Sequence, residues 1–127
     1  MEGATEMETR VLSLRLPAIL ERAIRHNAAY SKMPVSGIVR LILGHAMGGQ
    51  YRFSALRDAP EFLDAKLDVR LPEDLVSSLR AEAEKLRISV SVYSRVILYA
   101  YYTKRLVFIE IGDRYTLAEN HDQTKSA

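Results

Sequence analysis

The sequence predicts a mainly α fold built on a short β-ribbon, with two copies of one strand–helix–helix unit in a single chain. Three observations lead there. A shift of 55 residues lays Leu12–Met47 on Leu67–Tyr102 without a gap, and twelve of the 36 aligned pairs are identical. Each copy opens with alternating apolar and polar residues, meets a proline, and then changes to helical spacing. One copy alone is too short to bury an adequate core, so the two copies must complete each other.

The identities fall at apolar and punctuating positions, among them Leu12/Leu67, Arg15/Arg70, Leu16/Leu71, Pro17/Pro72, Val35/Val90, Ser36/Ser91 and Arg40/Arg95. In the strands, Leu12, Leu14 and Leu16, like Leu67, Val69 and Leu71, point to one face. The opposite face carries Val11, Ser13 and Arg15 in the first copy and Lys66, Asp68 and Arg70 in the second. Pro17 and Pro72 end the strands and suit the first turn of a helix. Glu73 and Asp74 favour the positive end of the second copy's helix dipole.

The first helix of each unit places Leu20, Ile24 and Ala28, or Leu75, Leu79 and Ala83, on one stripe, with charged residues outside. A short break follows, "SKMPVS" in one copy and "LRISVS" in the other. Ser89 is an expected N-cap; Pro34 occupies the matching place in the first unit and cannot cap by its side chain. The more apolar segments "VSGIVRLILGHAM" and "VSVYSRVILYAYY" form the second helices.

Antiparallel pairing of the two strands, with four helices behind them, makes an intramolecular pseudo-dimer. Its units are residues 9–47 and 65–104, joined by a linker, 48–64, that Gly48 and Gly49 open by stopping a helix. Residues 105–119 read as a C-terminal β-hairpin turning at Gly112–Asp113. Its first strand is apolar on both faces and needs cover, either from the chain's own helices or from another molecule. Residues 120–127 are expected to be a disordered tail.

Composition narrows the function. The 127 residues are 48% hydrophobic and 27% charged, as in a folded soluble protein. There is no cysteine, which excludes disulfides and a cysteine-ligated zinc, and His26, His45 and His121 show no metal-ligand spacing. No apolar run approaches the ~20 residues that span a bilayer, and "MEGATEMETR" lacks the regions of a signal peptide. A cytoplasmic location is expected, with no membrane partner and no small-molecule substrate. The chain has no phosphate loop, nucleophile elbow or HExxH, so a non-enzyme without metal or cofactor is expected. Charge is uneven: Arg10 to Arg52 holds seven basic residues against one acid, whereas Asp58 to Glu110 holds eight against nine.

The order strand, proline, amphipathic helix, turn, apolar helix resembles the ribbon-helix-helix DNA-binding family of the MetJ/Arc type. The residues that carry the likeness are "VLSLRLP" with "VSGIVRLIL", and "KLDVRLP" with "ISVSVYSRVIL". Two motifs in one chain is similar to the tandem layout of TraY-type relaxosome proteins. The resemblance implies a two-stranded ribbon in the major groove of double-stranded DNA, reading bases through Val11, Ser13, Arg15, Lys66, Asp68 and Arg70. It further implies phosphate contacts at the second helix starts, Val35 and Ser36 with Val90 and Ser91, and from Arg40 and Arg95, the last two equally suited to an acidic neighbour within the fold. Asp68 is the exception to a basic face. It is accommodated by accepting from cytosine N4, or by Arg15 or Arg70 across the ribbon. The implied roles are repression of transcription or accessory binding in a mobile element. A protein-binding inhibitor or antitoxin-like module on the same fold is the alternative. Self-association is expected either on DNA or through the hairpin.

Overall fold

Antiparallel pairing of the two repeated strands organises the chain. In the computed structural model, which describes residues 8–121, β1 (Thr9–Leu16) runs against β2 (Ala65–Pro72). Val11 lies opposite Arg70, Ser13 opposite Asp68 and Arg15 opposite Lys66. The repeat maps Ser13 onto Asp68, so the approximate two-fold axis relating the strands passes through that pair. Alternation then sorts the side chains: Leu12, Leu14, Leu16, Leu67, Val69 and Leu71 are buried beneath the ribbon, and their neighbours face solvent.

Four helices cover the buried face: α1 (Ala18–Ser31), α2 (Val35–Ala46), α3 (Glu73–Lys85) and α4 (Val90–Tyr102). The turns between paired helices repeat down to the backbone. Met33 N–H donates to Ala28 O at 2.9 Å and Ile88 N–H to Ala83 O at 3.1 Å. The equivalent residues Lys32 and Arg87 both take left-handed φ, 57° and 60°. Ser89 caps α4 by accepting from Val92 N–H at 3.1 Å, while Pro34 opens α2 without a side-chain cap.

Leu20, Ile24 and Ala28 are buried along α1 as the spacing implies. In α3 the buried set is Val76, Leu79 and Ala83, with Leu75 only partly covered. Across the middle, α2 contributes Val39, Ile42 and Leu43 and α4 contributes Ile97 and Leu98. Near the end of α4, Tyr101 meets Tyr102 and Phe108 edge-on, and Asn27 Nδ2 donates to the Tyr102 hydroxyl at 2.8 Å. These tyrosines belong to the fold's interior seams.

A hairpin of β3 (Leu106–Ile111) and β4 (Arg114–Glu119) completes the structure. Gly112 supplies the positive φ, 64°, that the two-residue turn requires. Leu106 and Leu117 join the main core, and His45 of α2 packs edge-on against Phe108. The chain's own helices therefore cover much of the hairpin, although Ile111 and Tyr115 stay 50% and 58% exposed. The architecture is mixed α/β, four helices with two antiparallel two-stranded sheets, so "mainly α" describes it only roughly.

Two boundaries differ from expectation. The linker is tied down rather than merely spanning a gap. Gln50 N–H donates to Leu117 O at 2.8 Å, Phe53 stacks on Tyr93 at 4.8 Å, and Phe53–Ala55 form a 3₁₀ turn. Asn120, placed in the expected tail, donates from its backbone to Arg105 O at 2.9 Å and from its side chain to Lys104 O at 2.8 Å. Residues 122–127 of that tail, and residues 1–7, lie outside the described residues.

One core group is out of place. Ser94 is fully buried on α4, and its hydroxyl has no hydrogen-bond partner among the described residues; its counterpart in the first unit is Val39. Ser94→Ala removes that unpaired hydroxyl and improves helix propensity. The variant should be more stable by about 1 kcal/mol, read as a higher urea midpoint with an unchanged slope.

Candidate nucleic-acid interface

Because successive strand residues alternate faces, the core leucines and valines force Val11, Ser13, Arg15, Lys66, Asp68 and Arg70 onto one outer surface. All six are exposed, and the register sets them in three cross-strand rows. The outer rows are unequal. One holds Arg15 opposite Lys66, two cations; the other holds Val11 opposite Arg70. In the central row Ser13 Oγ donates to Asp68 Oδ1 at 2.6 Å. Asp68 is thus engaged across the ribbon by Ser13, its own repeat partner, rather than by Arg15 or Arg70. Its second oxygen remains available as an acceptor at the middle of the face.

Thr9 extends this surface by one more position. Arg70 Nη1 donates to Thr9 Oγ1 at 3.3 Å, which orients the guanidinium along the ribbon. Thr9 was not among the six residues expected from the sequence, although the alternation 9–11–13–15 was the signal that could have found it. Beside it, Arg10 Nη2 pairs with Glu73 Oε2 at 2.7 Å, and that guanidinium holds the Glu73 carboxyl below its usual range.

The second helices begin beside the two outer edges of the ribbon. Ser36 Oγ accepts from Arg70 N–H at 2.9 Å, fastening the start of α2 to β2. The hydroxyl's lone pair is therefore used within the fold, while its proton can still be donated outward. Val35, Ser36, Val90 and Ser91 are all half-buried in the first turns of α2 and α4. Arg40, one turn further along α2, is exposed.

Arg95, the repeat equivalent of Arg40, is a correction to the expected phosphate set. Only 6% exposed, it donates from Nε to Asp58 Oδ1 and from Nη2 to Asp58 Oδ2, both at 2.8 Å. Its Nη1 donates to Arg15 O at 3.1 Å. All three contacts lie within the fold. The fork binds the linker to α4 and α4 to the edge of β1. These hydrogen bonds hold the Asp58 carboxyl below its ordinary range and push the Arg95 guanidinium up.

Sequence reasoning missed both linker carboxylates. Asp64 Oδ1 accepts from Ala18 N–H at 2.9 Å, supplying from another segment the cap that Pro17 cannot give. On the other side of the axis, Glu8 O accepts from Glu73 N–H at 2.9 Å. Neither contact has a local sequence signal, since each joins distant segments.

No family model, no curated protein and no solved structure matches the chain. Among the described residues there is no cluster of His, Cys, Asp or Glu suited to a metal ion, and no helix is long and apolar enough to cross a membrane.

The Arg95–Asp58 fork makes a pH prediction. A carboxyl whose folded pKa is depressed contributes stability that is present above its unfolded value, about 4, and lost as pH falls through the lower folded value. At pH 7 Asp58→Asn should be less stable by about 1–2 kcal/mol, since Asp58 is partly solvated. The difference from the parent chain should shrink below pH 4 in urea titrations, leaving the two nearly equal at the acid end.

Proposed function

We propose that this chain is a sequence-specific double-stranded DNA-binding protein. In this reading it is a tandem ribbon-helix-helix protein that lays its β1–β2 ribbon in the major groove and regulates transcription as a repressor. The observation that carries the reading is the ribbon itself. Val11, Ser13, Arg15, Lys66, Asp68 and Arg70 stand together on an exposed two-stranded face, above a wholly apolar underside. A ribbon of two strands fits the major groove. Arg15 and Arg70 can each fork onto guanine O6 and N7, Lys66 can add a donor, and Val11 can meet a thymine methyl. The starts of α2 and α4, together with Arg40, supply phosphate donors beside the ribbon.

Because the rows on either side of Ser13–Asp68 differ, the site that this face reads is an imperfect palindrome. Arg15 with Lys66 favours guanine on one side; Val11 with Arg70 asks for a different half on the other. Use at a transfer origin of a mobile element would employ the same ribbon. A protein-binding role has one observation in its favour, the exposed Ile111 and Tyr115 at the hairpin, a surface that also suits a second copy of the chain.

Selection from random duplexes should yield one asymmetric sequence, bound with an affinity that falls steeply as salt rises. Each of Arg15→Ala and Arg70→Ala should cost about 1–3 kcal/mol on that sequence and relax preference in its own half. Retained selectivity in the double variant would overturn the reading.

A further inference from the structure

The middle of the ribbon face holds a hydrogen bond whose direction is fixed. A serine hydroxyl has one proton, and a carboxylate has none to give. Ser13 commits its proton to Asp68 Oδ1 at 2.6 Å. What the pair turns outward is therefore lone pairs alone: those of Ser13 Oγ and of Asp68 Oδ2, which receives no hydrogen bond from any described residue.

No described cation masks this charge, since Asp68 takes part in none of the ion pairs among the described residues. Arg70, the one arginine of β2, donates instead to Thr9 Oγ1 at 3.3 Å. Thr9 lies opposite Pro72, on the far side of Arg70 from Asp68, so this contact draws the guanidinium away from the centre. The face thus runs from a row of two cations, Arg15 and Lys66, through a row that only accepts, to a row with one guanidinium.

Bases differ in what they offer such a row. In the major groove cytosine presents its N4 amino group, and adenine presents its N6 amino group beside an N7 acceptor. Guanine presents O6 and N7, and thymine O4, which are acceptors. A row that only accepts bonds the first two and repels the last two. Its charge also opposes the phosphates, and a duplex with no amino group at that place has nothing to offset the repulsion.

We propose that Asp68, its polarity set by Ser13, is the specificity-determining residue at the centre of the DNA site, selecting an amino base, cytosine before adenine, and rejecting guanine and thymine. This rests on the DNA-binding reading and adds a choice that the arginines cannot make, because guanidinium groups only donate and so favour guanine. Cytosine comes first because it sets no N7 acceptor against the carboxylate.

The test sets Asp68→Asn against Ser13→Ala. Both side chains are exposed, so neither change disturbs the core. Asparagine keeps the size of aspartate, still accepts from Ser13, and turns an N–H outward in place of an oxygen. Ser13→Ala leaves the carboxylate with both oxygens free. Starting from the duplex that the parent chain selects, the four base pairs are placed in turn at each central position, and binding is measured by fluorescence anisotropy at one salt concentration. The parent should favour cytosine over guanine at a central position by about tenfold. Asp68→Asn should lose or reverse that preference and bind random duplex more tightly, whereas Ser13→Ala should keep it. Cytosine preference surviving in Asp68→Asn would overturn the assignment. Equal loss in both variants would also overturn it, reducing the pair to a cross-strand brace. A parent that selects a sequence but is indifferent at its centre would overturn this inference alone; one that selects no sequence would overturn the DNA-binding reading with it.

Discussion

The structure depends on two strands that are each too exposed to stand alone. A lone β1 would leave backbone groups unpaired on both edges and three leucines in water. Antiparallel pairing with β2 joins Leu12, Leu14 and Leu16 to Leu67, Val69 and Leu71 as one apolar floor, and α1–α4 close against it. A one-residue slip of β2 against β1 would send Leu67, Val69 and Leu71 to solvent and bring Lys66, Asp68 and Arg70 inside. The core therefore fixes the outer face as firmly as it fixes itself. Whatever that face contacts, its rows are set by the leucines beneath.

Around this floor the two halves have diverged where the linker runs. Arg40 and Arg95 occupy equivalent positions on equivalent helices, yet one is exposed and the other is held by a carboxylate and a carbonyl. The chemistry of the residue did not change; its neighbours did. Gly49 shows how tightly the linker start is placed. A Cβ there would come within 2.8 Å of Leu117 O and closer still to the Tyr51 ring, so the approach of linker to hairpin requires glycine.

Much of this was legible before any coordinates. The 55-residue offset and the period-2 stretches fixed the strands, their faces and their pairing, because burial on one side of a ribbon leaves a strong alternating pattern. The turn at Gly112 and the cap at Ser89 were readable from local chemistry. Three kinds of fact were not. Arg95 reads the same as Arg40, and only the path of the linker separates them. Asp64 capping Ala18 joins residues 46 apart in sequence, which no local motif records. Val76 displaces Leu75 from the deepest layer of α3, since helical spacing alone leaves the stripe uncertain by one position. Local signals follow the repeat; the exceptions follow the connector that the repeat does not contain.

That connector changes how the ribbon comes together. Were the two units separate molecules, their encounter would depend on abundance, and dilution would dismantle the sheet. Tethered by residues 48–64, each strand meets its mate at a fixed effective concentration. Pairing of the two unlike halves is therefore independent of how dilute the chain is. The tether also favours unlike over like-with-like pairs, since the mate within the same chain is always the nearest.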